Sequence, residues 1–384
     1  MSAGGRSSAG RRSARTLAGA AACAAALLAA VPSRAQSASG HSLDLAIGVS
    51  MFYDDNVREY SDSQIRMFES GLNPDRFSIQ TTDDLLGVPS AALTWAQQRH
   101  GGRSRSIRIR WSGEFHKENK TADLSSYSAT YRESFSRKSR LTLSGYWLPR
   151  YYLRQLFDED FIPPFPGLSR YRRAEFSLAI GSAAWRQRLG MRSRAEIEYQ
   201  LEHRGYNPDF TERTSDTHQV ALDFERYRLP GRGTLDLLGG YRISNAKGVD
   251  ADGLQDDPDV GYHGFIAGLD WGVELKRRKA WRLGADVSYA LGTRAYTSDL
   301  ASDRYHYRRH DVSHTAGIGV RWSLRPHWAL RGLYQFEHNS ANLGSSAPAG
   351  SEQGSYTENR AGLAVEWSGK VWRQASPSAP ADEE

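Results

Sequence analysis

From residue 42 onward the chain alternates apolar and polar positions with a period of two, in about fourteen segments of roughly ten residues each. In Ser106-Ile107-Arg108-Ile109-Arg110-Trp111-Ser112-Gly113-Glu114-Phe115 every odd position is apolar or Gly and every even one polar, so alternate side chains leave opposite faces of an extended strand. The same period runs through Leu43, Leu45, Ile47, Val49, Met51 and Tyr53, through Leu235, Leu237, Tyr241 and Ile243, and through Ala361, Leu363, Val365 and Trp367. Helical periodicity is almost absent. Strands of soluble proteins average about 5–6 residues, whereas one that crosses a bilayer needs about 9–11. The lengths predict an all-β fold: a transmembrane antiparallel up-and-down β-barrel of about 14 strands.

The links between segments are a second, independent signal. Short ones at Arg99 to Arg103, Arg137 to Arg140, Arg186 to Met191, Leu229 to Gly233, Lys276 to Lys279 and Arg325 to His327 alternate with longer ones at about 54–88, 116–123, 153–170, 204–214, 245–260, 294–306 and 338–355. Outer-membrane barrels have short periplasmic turns and longer outside loops, so both barrel ends are expected on the periplasmic side. A one-residue slip of the 106–115 strand would turn Arg108 and Arg110 toward lipid at about 2–4 kcal/mol each near the midplane. Glu133, between Tyr131 and Phe135, falls on the lipid face as an exception. Trp95, Trp147, Trp271, Trp281, Trp322, Trp328 and Trp367 lie within or near strand ends, where an interfacial girdle would put them.

The N-terminus has a different character. Arg6, Arg11, Arg12 and Arg15 precede an uncharged run from Leu17 to Val31 and the small-residue pattern Ser33-Arg34-Ala35, the layout of a cleaved secretory signal peptide over 1–35. Residues 36–372 are then the barrel and 373–384 a flexible periplasmic tail. The chain's 50 Lys and Arg against 44 Asp and Glu become nearly balanced once the five arginines of the signal are removed, so a nucleic-acid partner is not expected. The single cysteine, Cys23, lies in the signal, and no disulfide is expected. A bundle of membrane-spanning helices is excluded, because no stretch after residue 31 carries about 20 consecutive apolar residues.

Two short motifs carry a family resemblance. Arg360-Ala361-Gly362-Leu363-Ala364-Val365-Glu366-Trp367 resembles the C-terminal assembly signal of bacterial outer-membrane barrels, with Arg360, Gly362, Val365 and Trp367 at its defining positions, although the chain continues past Trp367 to Glu384. Met51-Phe52-Tyr53-Asp54-Asp55-Asn56-Val57 resembles the segment that follows strand one in porin-type outer-membrane β-barrel families. The resemblance implies a cell outer-membrane location, contact with membrane lipid and lipopolysaccharide, insertion by the barrel-assembly machinery, and passage of a small polar solute.

With the apolar faces toward lipid, the other parity lines the lumen. It carries Arg108, Arg110, Arg132 and Arg150 on strands three to five, and Glu196, Glu198, Glu202, Asp223, Glu225, Asp236, Asp270 and Glu274 on strands seven to ten. Opposed basic and acidic arcs would set up a transverse field between low-dielectric walls, and a channel for small polar or charged solutes follows. A conduit for export of a surface polysaccharide, an enzyme at the rim acting on lipid or lipopolysaccharide, and a closed structural barrel are the alternatives.

Fourteen strands lie between the size that side chains fill and the size that holds a water channel, so the first outside link matters. Within it, Ser63 to Glu69 is expected as a short helix capped by Ser63. His306, His310 and His314 are four apart, about 13 Å on a strand, too far for one metal ion. The acidic link 250–259 lacks calcium-loop spacing. No nucleophile and base pair off, so no enzyme activity, cofactor or metal is expected.

Overall fold

The computed structural model describes residues 40–374 apart from 100–101, 159–163, 166, 230–232, 247, 249–259, 299–305, 325–326 and 343–353. The predicted signal peptide and residues 375–384 of the tail lie outside the described residues, as do the acidic link 250–259 and most of the Phe161–Gly167 stretch.

Fourteen strands form among the described residues: β1 (His41–Asp54), β2 (Asp84–Gln98), β3 (Ser104–His116), β4 (Leu124–Ser134), β5 (Ser139–Phe157), β6 (Tyr171–Arg188), β7 (Ser193–Tyr206), β8 (Ser215–Leu229), β9 (Gly233–Ala246), β10 (Tyr262–Arg277), β11 (Trp281–Tyr296), β12 (His310–Leu324), β13 (Trp328–Asn342) and β14 (Tyr356–Gln374). Each pairs antiparallel with the next, and β1 pairs with β14, so the sheet closes on itself. Closure leaves no unpaired edge, which a bilayer would not accept. The links alternate short and long as expected, with β1 starting and β14 ending on the short-turn side.

Register then decides the faces. Ile47 stands opposite Ala91 on β2 and Trp367 on β14, and Ile109 opposite Leu93 and Ala129. The apolar rows thus run continuously around the outside. Leu222, Phe265 and Leu363 are 62%, 63% and 64% exposed there, in a belt far larger than the few hundred Å² of apolar patch that a soluble monomer tolerates. In lipid, each large side chain of the belt contributes about 1.5–3 kcal/mol. The barrel is an outer-membrane protein.

Aromatic girdles flank the belt. On the short-turn side Phe135 stacks on Trp185 (5.7 Å) and Trp281 meets Trp322 edge-on (6.5 Å). On the long-link side tyrosines hold polar partners: Tyr199 with His218 (2.7 Å), Tyr289 with His314 (2.7 Å) and Tyr334 with Asn359 (2.6 Å). Glu133 does point outward, opposite Arg105 near the strand end, where Arg99 (3.4 Å) and the Tyr131 hydroxyl (2.5 Å) hold it. The apparent exception is an interfacial cluster, not a register error.

Candidate functional site

The inward parity collects the charge. Arg108 and Arg110 face Thr130 and Ser128 across the β3–β4 ladder, and Arg132 faces Ser106. All three are exposed to the lumen, and among the described residues none has an acidic partner at ion-pair distance. Glu196, Glu198 and Glu202 on β7, Asp223 and Glu225 on β8, Asp236 on β9, and Asp270 and Glu274 on β10 share the same face. There Glu196 faces Asp223, Glu225 faces Asp236, and Asp236 faces Asp270. Arg150 stands apart: it falls in the bulge between Leu148 and Tyr151, where two-residue parity breaks and alternation no longer assigns it to the lumen row.

The two arcs are not separate. A link is expected from Arg186 to Met191, but β6 runs through Arg188 and β7 begins at Ser193, so Arg186 stands on the wall and Arg194 beside it in β7. Arg186 pairs with Glu196 (2.5 Å) and Arg194 with Glu225. The basic side therefore extends from β3 to β7 and meets the acids there. Strand parity would have found both arginines had the strands been extended by two or three residues. Elsewhere on the wall Asp286 pairs with Arg331 at 2.8 Å.

The segment 55–83 fills part of the outer mouth. Its helix α1 (Asp62–Glu69) starts earlier than expected, because the cap is Ser61 and not Ser63. Ser61 and Gln64 form a reciprocal box, Gln64 N donating to Ser61 Oγ (3.4 Å) and Ser61 N to Gln64 Oε1 (3.0 Å). The segment has its own small core, Tyr60, Phe77 and Ile79, with the Tyr60 and Phe68 rings 5.4 and 5.6 Å from that of Phe77. Burial pushes the Tyr60 phenol above its ordinary pKa.

Its anchors lie on distant staves. Arg58 Nη1 donates to the Tyr152 carbonyl (2.8 Å) with its guanidinium 4.8 Å over the Tyr152 ring, and Arg154 Nη2 donates to the Arg58 carbonyl (3.0 Å). Because β5 stands four staves from β1, the segment crosses the mouth. At its far end Asp84 accepts the Glu118 and Asn119 amides (3.1 and 2.7 Å), and Asn119 Oδ1 accepts the Gln80 amide (2.8 Å). Beside the segment lies a cavity of about 300 Å³, lined by its Glu59 and by residues of nine strands, among them the inward Arg204, Tyr262, Arg294, Asp311 and Glu337. Lining by these residues identifies their parity as the lumen side.

The two motifs of the resemblance meet in space. Arg360 donates to buried Asp54 through Nε (3.1 Å) and Nη2 (2.6 Å), Asn359 donates to both Asp55 oxygens (2.6 and 2.8 Å), and Asn56 Nδ2 donates to the Thr357 carbonyl (3.0 Å). They form the outer end of the β1–β14 seam. Gly362 stands against Phe52, where a Cβ would lie 2.4 Å from the ring and 2.6 Å from the Met51 carbonyl. Val365 and Trp367 face outward opposite Val49 and Ile47. The strand continues beyond Trp367 and past residue 372 to Gln374, with Trp372 opposite Leu43.

His306 lies buried at the outer cavity, whereas His314 points outward on Tyr289, so the spaced histidines do not converge. Among the described residues no group of three or more His, Cys, Asp or Glu is placed to hold a metal ion.

No protein-family model matches the chain, and no curated relative does. Several solved structures are similar in outline. An anion-selective porin from Comamonas acidovorans is 12% identical over 86% of this chain and 100% of its own, with a TM-score of 0.43. The outer-membrane channel DcaP of Acinetobacter baumannii is 12% identical over 88% and 99%, at 0.45. A bacterial polysaccharide outer-membrane secretin is 9% identical over 86% and 99%, at 0.38. Likenesses this loose carry nothing about solute or selectivity.

Proposed function

We propose that the chain is a porin-like channel passing small polar or charged solutes across the outer membrane, with selectivity set by the charged lumen wall. The observation that carries this is the row of Arg108, Arg110 and Arg132, exposed on the lumen face with no acidic partner among the described residues. A closed structural barrel gains nothing by leaving cations unpaired in its interior, since packed interiors pair their charges. In a water-filled lumen the same residues stay hydrated, and the low-dielectric wall behind them focuses their field onto passing ions.

The acidic residues of β7–β10 supply the opposite sign, tempered where Arg186 and Arg194 pair with Glu196 and Glu225. A solute with separated charges would orient between them. The segment 55–83 narrows the outer mouth and leaves a cavity of about 300 Å³ beside it, a volume at the small end of ligand sites.

One observation bears on carbohydrate. Tyr151, Phe176 and Tyr206 form an aromatic run on the inner wall, with ring centroids 5.0 and 5.1 Å apart. Below it the inward positions of β6 are Leu178, Ile180, Ser182 and Ala184. The run is only three rings long, reaching from the end of β7 to five or six residues inside the outer ends of β6 and β5, so it suits one small sugar and not a polymer sliding through the barrel.

The test is single-channel conductance in a planar bilayer. Steady, ion-selective conductance supports the reading, and neutralising Arg108 and Arg110 with glutamine should then shift the reversal potential toward cations. A silent bilayer with protein that still migrates as a folded barrel would overturn it.

A further inference from the structure

A second pocket lies at the opposite, short-turn end of the barrel. It has a volume of about 180 Å³ and is lined by Arg137, Lys138, Arg140, Arg186, Arg188 and Arg194. The hydroxyls of Ser134, Ser136, Ser139 and Tyr227 complete the wall, and no carboxylate is among the lining residues. Two acids touch the set from outside, Glu196 on Arg186 and Glu225 on Arg194. Arg188 is taken up by the Gly190 and Met191 carbonyls (2.7 and 3.1 Å). Arg137, Lys138 and Arg140 have no acidic partner among the described residues.

The cations are also set against one another. Arg140 stands directly opposite Arg186 on the β5–β6 ladder, and Arg188 directly opposite Arg194 on the β6–β7 ladder. Like charges at facing positions destabilise a sheet, and here the cost recurs on two adjacent ladders. Arg194 Nε is buried with no acceptor. A wall that concentrates unpaired donors and like charge in one concavity is arranged for a counter-ion.

We propose that this pocket binds a small oxyanion of the phosphate class at the periplasmic end of the lumen. A tetrahedral dianion offers acceptors on every side, matching guanidinium forks and hydroxyls that converge from five strands and a turn. The volume, below that of ordinary ligand pockets, suits inorganic phosphate or the phosphate of a larger solute. Arg140, Arg186, Arg188 and Arg194 all carry the inward parity, so the ligand reaches them from the lumen and not from the lipid. The site stands whether or not the lumen conducts, because its test reads binding.

The experiment is calorimetric titration of the detergent-solubilised full chain with inorganic phosphate at low ionic strength, in a phosphate-free detergent. The expected result is one site per chain whose affinity falls as chloride is raised. Lys138→Gln with Arg140→Gln, which orphans no acid, should weaken it by at least about tenfold. Arg277→Gln with Arg278→Gln, at another basic short turn, should leave it unchanged. Lys138→Gln alone, in an exposed turn outside any strand, serves if the double variant loses the folded gel migration, and should also weaken binding. Equal weakening by the control pair, or no saturable phosphate binding, would overturn the proposal. So would binding of a short-chain phosphatidylglycerol without binding of inorganic phosphate, since that would make the site one for lipid headgroups.

Discussion

Replacing Asp54 by Asn tests how firmly the barrel is closed at its outer rim. Asp54 is fully buried and accepts both Arg360 donors and the Asn56 amide (2.9 Å). Breaking a buried ion pair from one side costs about 3–5 kcal/mol. Here two features lower that figure. The Arg360 side chain is 30% exposed, and Glu358 remains 3.3 Å from its Nη2. The asparagine also keeps an oxygen for the Asn56 amide. We expect about 2–3 kcal/mol, and a fall of about 5 °C in the temperature at which half the protein loses its compact gel migration, taking roughly 2 °C per kcal/mol for a chain of this size. Arg360→Gln should cost a similar amount, and the double variant little more than either alone, a coupling of about 2 kcal/mol. Additive losses, or an unmoved midpoint in Asp54→Asn, would refute the closure argument and leave the pair a solvated surface contact.

The remaining predictions concern the rim, the wall and the mouth. Gly362→Ala should destabilise the barrel by about 1–3 kcal/mol, read from the same gel midpoint, because its Cβ would strike Phe52 and the Met51 carbonyl. Glu133→Leu should move that midpoint by less than the equivalent of about 1 kcal/mol, since the residue sits at the interface, whereas Ala129→Arg on the same outward row should cost about 2–4 kcal/mol nearer the midplane. Arg58→Ala, which removes the tie to Tyr152, should raise open-channel conductance and speed proteolysis within 55–83; an unchanged cleavage rate would show that the other anchors suffice.

Strand count, link alternation and lumen face were legible because lipid punishes errors of parity: Arg108 cannot trade places with Ile109. Glu133 looked anomalous only because depth in the membrane is invisible to a two-residue pattern, and its partners Arg99 and Tyr131 come from other parts of the chain. Arg150 falls outside the parity argument for a different reason. A bulge adds a residue without changing composition, so parity beyond Leu148 was lost. The helix begins at Ser61 and not Ser63 because Ser61 and Gln64, three apart, close a reciprocal capping box. Arg186 lies inside the predicted 186–191 link and Arg194 just ahead of the predicted strand at Ala195, so the contact between basic and acidic arcs is not read from the alternation. The folding of 55–83 into the mouth had no signature in the sequence, since its anchors Tyr152 and Arg154 are some 94 and 96 positions from Arg58.

The bond between Asp54 and Arg360 joins residues 306 positions apart, and no shorter version of the chain can make it. Along the chain all twelve other strands lie between them, so the contact exists only where the first and last strands have met. A polypeptide halted before Arg360 leaves the Asp54 carboxylate alone, and one whose strands pair out of sequence leaves both groups exposed at an open gap. The seam therefore works as a completeness check: it distinguishes a finished cylinder from every partial sheet that precedes it, using two side chains and no outside inspector.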